Sequence, residues 1–289
     1  MIAHATILTH TVLGALGAGA VAGYCVLWAR SRQRRFAEAL AWSLGITVLL
    51  VSTVPPVEDA AARSFTWHMV QHLVIGVVAA PLLVLARPGR VVGAGLPAAR
   101  PALHRLRPRS GFGGYAVGAF VAVALVFVAH VGAVYDLALR NRPVHDLQHV
   151  AFLVSGIALW ACALGTRPAR GPGRFLAGFA AASALTLLSV WLLMMDAPLS
   201  HEYVDRVGAA DALRDQRFGA GLMWVGMVAL TMPLLMLAVW RWASAEQHMA
   251  ERREALAARE ALASRACRGT SRSTSRAAAA TKPSGSPTT

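Results

Sequence analysis

Residues 65–86 read FTWHMVQHLVIGVVAAPLLVLA, and this stretch decides the fold class. Its only ionisable side chains are two histidines, and its length matches the roughly 20 mostly apolar residues with which a helix crosses a bilayer. Six more segments of this kind follow or precede it. The predicted spans are 7–29, 36–54, 65–86, 113–139, 146–166, 175–196 and 218–240. The sequence therefore predicts an all-α integral membrane protein, a bundle of seven transmembrane helices.

The composition of the 289-residue chain agrees with a membrane protein. Hydrophobic residues make up 56% of it, charged residues 15%, and the mean hydropathy is +0.51. These values exclude a soluble enzyme and a disordered scaffold. The three cysteines, Cys25, Cys162 and Cys267, lack the spacing of a disulfide framework or of a paired-cysteine metal site.

The basic residues predict the orientation of the bundle. With the N-terminus outside, 22 of the 28 Arg and Lys residues fall on the inner side and six on the outer side, and the C-terminus lies inside. This asymmetry is the positive-inside pattern of membrane proteins. The net charge of +14 is thus explained by topology and by contact with membrane lipid. No basic domain with interleaved aromatic residues occurs, so nucleic acid is not an expected partner.

Three regions follow from the distribution of apolar residues. Residues 1–240 form the predicted membrane domain. Residues 241–268, rich in Ala, Arg and Glu, predict a short cytoplasmic interfacial helix, and residues 269–289 have the low-complexity composition of a disordered tail.

Histidines dominate the candidate chemistry. In the predicted orientation, five of them lie in the outer halves or at the outer ends of the third, fourth and fifth spans: His68, His72, His130, His145 and His149. Four of them form two pairs with i, i+4 spacing, His68 with His72 and His145 with His149, and this spacing places both imidazoles of a pair on one helix face. Ionisable groups within membrane spans are costly and mark functional sites by default.

These histidines are candidate metal ligands. Imidazole binds copper, zinc, iron and nickel, and methionines near the outer side favour Cu(I), so copper is the expected ion. Asp136 and Asp196 are expected to accept hydrogen bonds from the ligating imidazoles and orient them. The other interpretation is that the histidines bond neighbouring helices to one another. HExxH, GxSxG and glycine-rich phosphate motifs do not occur in the sequence, which argues against an enzyme.

At these residues the sequence resembles the CtaG family of cytochrome c oxidase assembly factors, the multi-span bacterial proteins associated with caa-type oxidases. The resemblance is carried by HMVQH at 68–72, APLL at 80–83, YDLAL at 135–139, HDLQH at 145–149, DAPL at 196–199 and Asp215-Gln216. It implies a multi-pass protein of the bacterial plasma membrane that helps to mature the oxidase. Its implied partners are oxidase subunits, and its implied role is to bind or deliver copper on the outer face.

Two alternatives stay open. A haem-binding electron-transfer protein would use one bis-His site in the outer leaflet, with His68 or His72 opposite His149. A metal or proton transporter would need polar residues through the inner half of the bundle, whereas residues 74–85 and 152–164 are nearly all apolar.

Overall fold

The computed structural model describes residues 2–31, 34–105, 112–164 and 173–280, and every regular element in these ranges is helical. Thirteen α-helices occur in the described part of the chain. They are α1 Ile2–Arg30, α2 Phe36–Ser52, α3 Pro55–Arg63, α4 Phe65–Leu73, α5 Ala80–Leu85, α6 Pro88–Gly95, α7 Arg100–Arg105, α8 Phe112–Ala129, α9 Gly132–Arg140, α10 Arg142–Leu164, α11 Gly173–Met194, α12 His201–Val207 and α13 Ala209–Ala280.

Several helices have the length and apolarity of membrane spans, as the composition predicts. Four stretches qualify by themselves: Thr11–Arg30, Phe65–Gly95, Leu176–Met194 and Ala209–Ala261. The number rises to six when each of two bent helix pairs is taken as one span. Helix α10, whose first two turns are polar, is outside this set. The all-helical membrane class is therefore confirmed, and the count of seven spans and the orientation stay predictions.

Two predicted spans differ from straight helices. The segment predicted as 113–139 ends as a helix at Ala129, resumes at Gly132 and bends by 71°. Gly132 permits this bend because a Cβ there would lie 2.8 Å from the carbonyl oxygen of Leu199. The pair α2 and α3 bends by 54° at Val54, which is extended because Pro55 follows it.

Helix α4 passes into α5 through a π-helical turn, Val74–Ala79. Helix α10 packs against this turn at close range. Gly156 makes the approach possible, because a Cβ there would lie 2.7 Å from the carbonyl oxygen of Gly76. The same carbonyl accepts a hydrogen bond of 3.0 Å from Nε1 of Trp160. This contact fixes α10 alongside the α4–α5 span.

Helix α13 packs on the other side of α4. Gly219 contacts Phe65 and Thr66, and Gly226 contacts Leu73. Buried side chains of α4, α9, α11, α12 and α13 share one hydrophobic cluster, in which Phe65, Met69, Tyr135, Leu188, Leu192, Met223 and Met227 are largely enclosed. The cluster holds α4 firmly, and α4 carries the first histidine pair.

The chain divides into two compact units, residues 1–239 and residues 240–289. The second unit is helical from Trp240 to Ala280. Residues 269–280, the first part of the predicted tail, lie within this helix, and the disorder of the tail stays a prediction. Residues 281–289 of the predicted tail lie outside the described residues. The interfacial position of 241–268 stays a prediction.

Candidate metal centre

The start of α4 is fixed by two hydrogen-bonding side chains. Ser64 caps the helix and accepts a hydrogen bond from the backbone N–H of Trp67. Asp215 of α13 accepts hydrogen bonds from the N–H of Phe65 at 2.6 Å and from the hydroxyl of Thr66 at 2.6 Å. A carboxylate at a helix N-terminus also interacts favourably with the helix dipole. The turn that precedes His68 is thereby held in register.

The start of α10 is defined locally. Asn141 has an extended backbone after α9, and its Oδ1 accepts a hydrogen bond of 3.3 Å from the N–H of Val144. Pro143 then occupies an early helical position, where its missing N–H costs nothing. His145 and His149 follow in the first two turns on one face, as their i, i+4 spacing predicts.

These two faces meet, and four imidazoles form a cluster, which we call the imidazole cluster: His68, His72, His145 and His149. Within each helix the ring centroids are 4.3 Å apart for His68 and His72 and 4.2 Å apart for His145 and His149. Between the helices, the centroids of His68 and His145 are 4.9 Å apart, and those of His72 and His149 are 5.4 Å apart.

One nitrogen from each of His68, His72 and His145 lies within 4.8 Å of the others. A second group within the same limit joins His145 and His149 to a carboxylate oxygen of Asp146. In a tetrahedral site with metal–nitrogen bonds of about 2.0 Å, the ligand nitrogens lie about 3.3 Å from one another. Side-chain rotations that move each nitrogen by roughly 1 Å would therefore complete a coordination sphere. Both groups could therefore hold a metal ion after small movements of the side chains.

The imidazoles are buried without hydrogen bonds to satisfy them. The exposed fractions are 0% for His68 and 7–9% for the other three. Among the described residues, both nitrogens of His68 and of His72, and Nε2 of His145 and of His149, have no hydrogen-bond partner. Buried polar groups without partners are rare because each costs free energy. A bound cation would satisfy several of these nitrogens at once.

The fifth predicted ligand, His130, lies apart from the imidazole cluster, at the bend between α8 and α9. The centroid of the Phe152 ring is 4.3 Å from that of His72 and 6.2 Å from that of His130. Nδ1 of His130 is 2.7 Å from the carbonyl oxygen of Val126. Because a carbonyl only accepts, Nδ1 carries the proton, and Nε2 keeps a lone pair without a partner.

The two predicted orienting carboxylates have other partners than the imidazoles. Asp136 accepts hydrogen bonds from the hydroxyl of Ser200 at 2.6 Å and from the N–H of His201 at 3.2 Å, at the start of α12. Asp196 is fully exposed, and its carboxylate is 3.9 Å from Arg217. Their role in orienting metal-bound imidazoles stays a prediction.

Several residues around the cluster were missed as site residues by the sequence analysis. Arg142 bonds Glu58 at 2.5 Å and Asp146 at 3.6 Å, which forms a charged rim beside His145. The ring of Tyr135 lies 4.8 Å from that of His68. The i, i+4 spacing of Arg142 and Asp146 was a signal for one pair, whereas nothing in the sequence joins Arg142 to Glu58, 84 positions away.

Comparison with known proteins gives one family and two relatives. The family model described as cytochrome c oxidase caa3 assembly factor matches residues 22–245. The uncharacterized proteins Mb0105 of Mycobacterium bovis and MT0111 of Mycobacterium tuberculosis are each 23% identical over 266 residues, which covers 84% of this chain. The chain spans only 40% of the length of these relatives. No solved structure matches it significantly.

Proposed function

Because this chain belongs to the family of cytochrome c oxidase caa3 assembly factors, we propose that it binds copper and delivers it to oxidase subunits during their maturation. The family membership carries the assembly role, and the imidazole cluster supports the copper role. The site of action is the outer face of the bacterial plasma membrane, where the predicted orientation puts the outer ends of α4 and α10. The role needs no catalytic step.

The observation that carries the proposal is the set of unsatisfied imidazole nitrogens on two facing helices. Imidazole is a good ligand for copper, and the methionines Met69, Met223 and Met227 in the same bundle favour its monovalent form. To deliver copper, the site must release the ion as well as bind it. Asp146 belongs to one of the two ligand groups and is about half exposed, so it supports a path by which an ion reaches or leaves the buried imidazoles.

Haem is the alternative ligand for a bis-His site. The cavity beside the imidazole cluster has a volume of about 80 Å³, whereas sites for ligands of drug or cofactor size start at about 300 Å³. The ring centroids of His72 and His149 are also only 5.4 Å apart, which leaves little space for a macrocycle between them. Both observations favour a metal ion over haem.

The test is metal content and optical absorbance of the detergent-purified protein. The wild type is compared with a variant in which His68, His72, His145 and His149 are all replaced by alanine, and with His201→Ala as the matched control. His201 is an exposed histidine of α12 outside the cluster. After loading with Cu(II), we expect about one bound ion per chain in the wild type and the control, and none in the fourfold variant.

In cells, His72→Ala is expected to lower oxidase activity while the protein stays in the membrane, and His201→Ala is expected to leave oxidase activity unchanged. Normal oxidase activity with well-expressed His72→Ala contradicts the copper role. A Soret band in the purified protein would establish the haem alternative. A metal-free, colourless protein would indicate instead that the chain is a scaffold that holds oxidase subunits. The histidines would then serve as contacts between helices.

A further inference from the structure

We propose that the cavity next to the imidazole cluster is a second metal site, selective for the soft monovalent ion Cu(I), with Met69, Met223, Met227 and Nε2 of His130 as its ligands. We call it the thioether cavity. This inference rests on the proposed function, because it adds a deeper site to a copper-binding protein. In this proposal His130 is a ligand of the second metal site and not a member of the imidazole cluster.

The cavity begins where the imidazole cluster ends. His72 lines both, and along α10 the cavity continues from Phe152 to Trp160, beyond His149. With 1.5 Å of rise per residue, the step from His149 to Trp160 covers about 16 Å along the helix. The walls come from α4 and the π-helical turn after it, and from α8, α10, α11 and α13. They include Met69, His72, Gly76, Val126, His130, Phe152, Ser155, Trp160, Leu185, Met223, Met227 and Thr231.

Three polar side chains reach this apolar space without partners. Both nitrogens of His72, Nε2 of His130 and Oγ of Ser155 have no hydrogen bond among the described residues. Their exposed fractions are 8%, 3% and 6%, so water outside the bundle does not satisfy them. A wholly apolar cavity would serve as packing space alone. These atoms lie on three different segments of the bundle, and their lack of partners points to a ligand in the cavity.

The three thioethers of the cavity are more buried than three other described methionines of the bundle, Met194, Met232 and Met236. Met69, Met223 and Met227 are 1%, 8% and 5% exposed and belong to one core cluster. Met194, Met232 and Met236 are 67%, 39% and 66% exposed. The wall of the cavity thus includes three buried thioether side chains and one imidazole whose Nε2 has no partner, a donor set that selects Cu(I) over harder ions.

Charge supports the monovalent ion. No carboxylate lines the cavity among the described residues, so all the donors are neutral. A divalent ion would keep its full charge in a low-dielectric interior, which is strongly unfavourable. A monovalent ion with neutral thioether and imidazole ligands carries half that charge. The imidazole cluster, with Asp146 at its edge, accepts ions of higher charge.

His72 connects the two sites. The ion moves when a bond to a cavity ligand forms while its bond to His68 or His145 breaks, and His72 holds it during the exchange. The ion stays Cu(I) throughout, so the step requires neither an oxidant nor a reductant. The ring of Phe152 is in contact with His72 and lies near His130.

The experiment counts Ag(I), a redox-inert probe for Cu(I) sites, bound to the full chain in lipid nanodiscs. The test variant replaces Met69, Met223 and Met227 with leucine, and the matched control replaces Met194, Met232 and Met236 with leucine. We expect two Ag(I) per chain for the wild type and the control, and one for the test variant. The same number of bound Ag(I) ions in the wild type and in the test variant would overturn the proposal.

A second pair of measurements separates this proposal from the proposed function. The double variant His68→Ala/His145→Ala is expected to lose Cu(II) binding and keep one methionine-dependent Ag(I). If the wild type binds no Cu(II) but still binds this Ag(I), the copper role of the imidazole cluster fails and the thioether cavity stands. If the wild type binds Cu(II) and one Ag(I) that the methionine variant keeps, the cavity fails alone.

Should the threefold variant not fold, single replacements answer the same question. Met223→Leu and Met227→Leu each keep two thioethers, and leucine conserves the volume of methionine well. Each is expected to weaken the second Ag(I) at least tenfold. Unchanged affinity in both would contradict thioether ligation. X-ray absorption of the Cu(I)-loaded wild type should also show sulfur neighbours, and their absence would have the same meaning.

Discussion

The carboxylate of Asp215 accepts a hydrogen bond of 2.6 Å from the backbone N–H of Phe65, the first residue of α4. Asp215 lies on α13, 150 positions along the chain from its partner. It also accepts hydrogen bonds from the hydroxyls of Ser64 and Thr66. One side chain thus joins α13 to the turn that leads into His68, so the position of the first histidine pair depends on α13.

Asp215→Ala is expected to lower the free energy of unfolding by about 2 kcal/mol, since it removes an N-terminal cap and several charge-assisted hydrogen bonds. Because α4 then begins less rigidly, copper affinity should fall as well. Unfolding and Cu(II) titration in nanodiscs measure both effects. Asp211→Ala is the matched control, because Asp211 is exposed and bonds only Arg214 of its own helix among the described residues. Equal stability of the two variants would contradict the role of Asp215.

Gly156→Ala should separate the helices that carry the two histidine pairs. A Cβ at this position lies 2.7 Å from the carbonyl oxygen of Gly76 and 2.8 Å from Cβ of Ala80, and backbone atoms cannot move aside easily. Such overpacking costs about 1–3 kcal/mol. We expect lower stability, measured by unfolding in nanodiscs, and weaker copper binding.

The control for this substitution is Gly221→Ala on α13, because a Cβ there meets nothing within 4 Å. Alanine is about 1 kcal/mol better than glycine inside a helix, so this variant should be as stable as the wild type or more stable. If Gly156→Ala binds copper as tightly as Gly221→Ala does, the close contact of α10 with the π-helical turn is not needed for the site.

The sequence was sufficient for the fold class and the family, because both depend on local patterns. Long apolar stretches predict membrane helices, and the motifs around HMVQH and HDLQH carry the resemblance that the family model confirms. The i, i+4 spacing of each histidine pair also predicts one shared helix face. These features need no knowledge of how distant segments pack.

Features that depend on packing between distant segments could not be predicted from the sequence. The bend near His130 arises where Gly132 meets the Leu199 carbonyl. The same bend brings Asp136 to Ser200. No pattern in the sequence distinguishes the π-helical turn after His72 from an ordinary helix with 3.6 residues per turn. The bend and the contact of Asp136 with Ser200 each join residues more than 60 positions apart in the sequence.

Arg142 is expected to stabilise the bundle through Glu58, which is only 6% exposed. Arg142→Gln leaves a buried carboxylate without its cation and should cost about 1–3 kcal/mol, since Arg142 itself is about half exposed. Glu58→Gln in the same chain removes the unpaired charge and should restore most of the loss. A double-mutant cycle of unfolding free energies measures the coupling. Additive effects would show that the pair contributes nothing.

Asp136 offers a test between two roles. If it caps α12 through Ser200 and His201, Asp136→Asn should lower the free energy of unfolding by about 1 kcal/mol and change copper affinity less than threefold. If it orients a ligating imidazole when metal is bound, affinity should fall roughly 10–100-fold. The contacts of Asp136 favour the first outcome. Asp205→Asn, an exposed substitution on α12, is the matched control. A large loss of affinity in Asp136→Asn alone would show that metal binding moves this carboxylate towards the imidazole cluster.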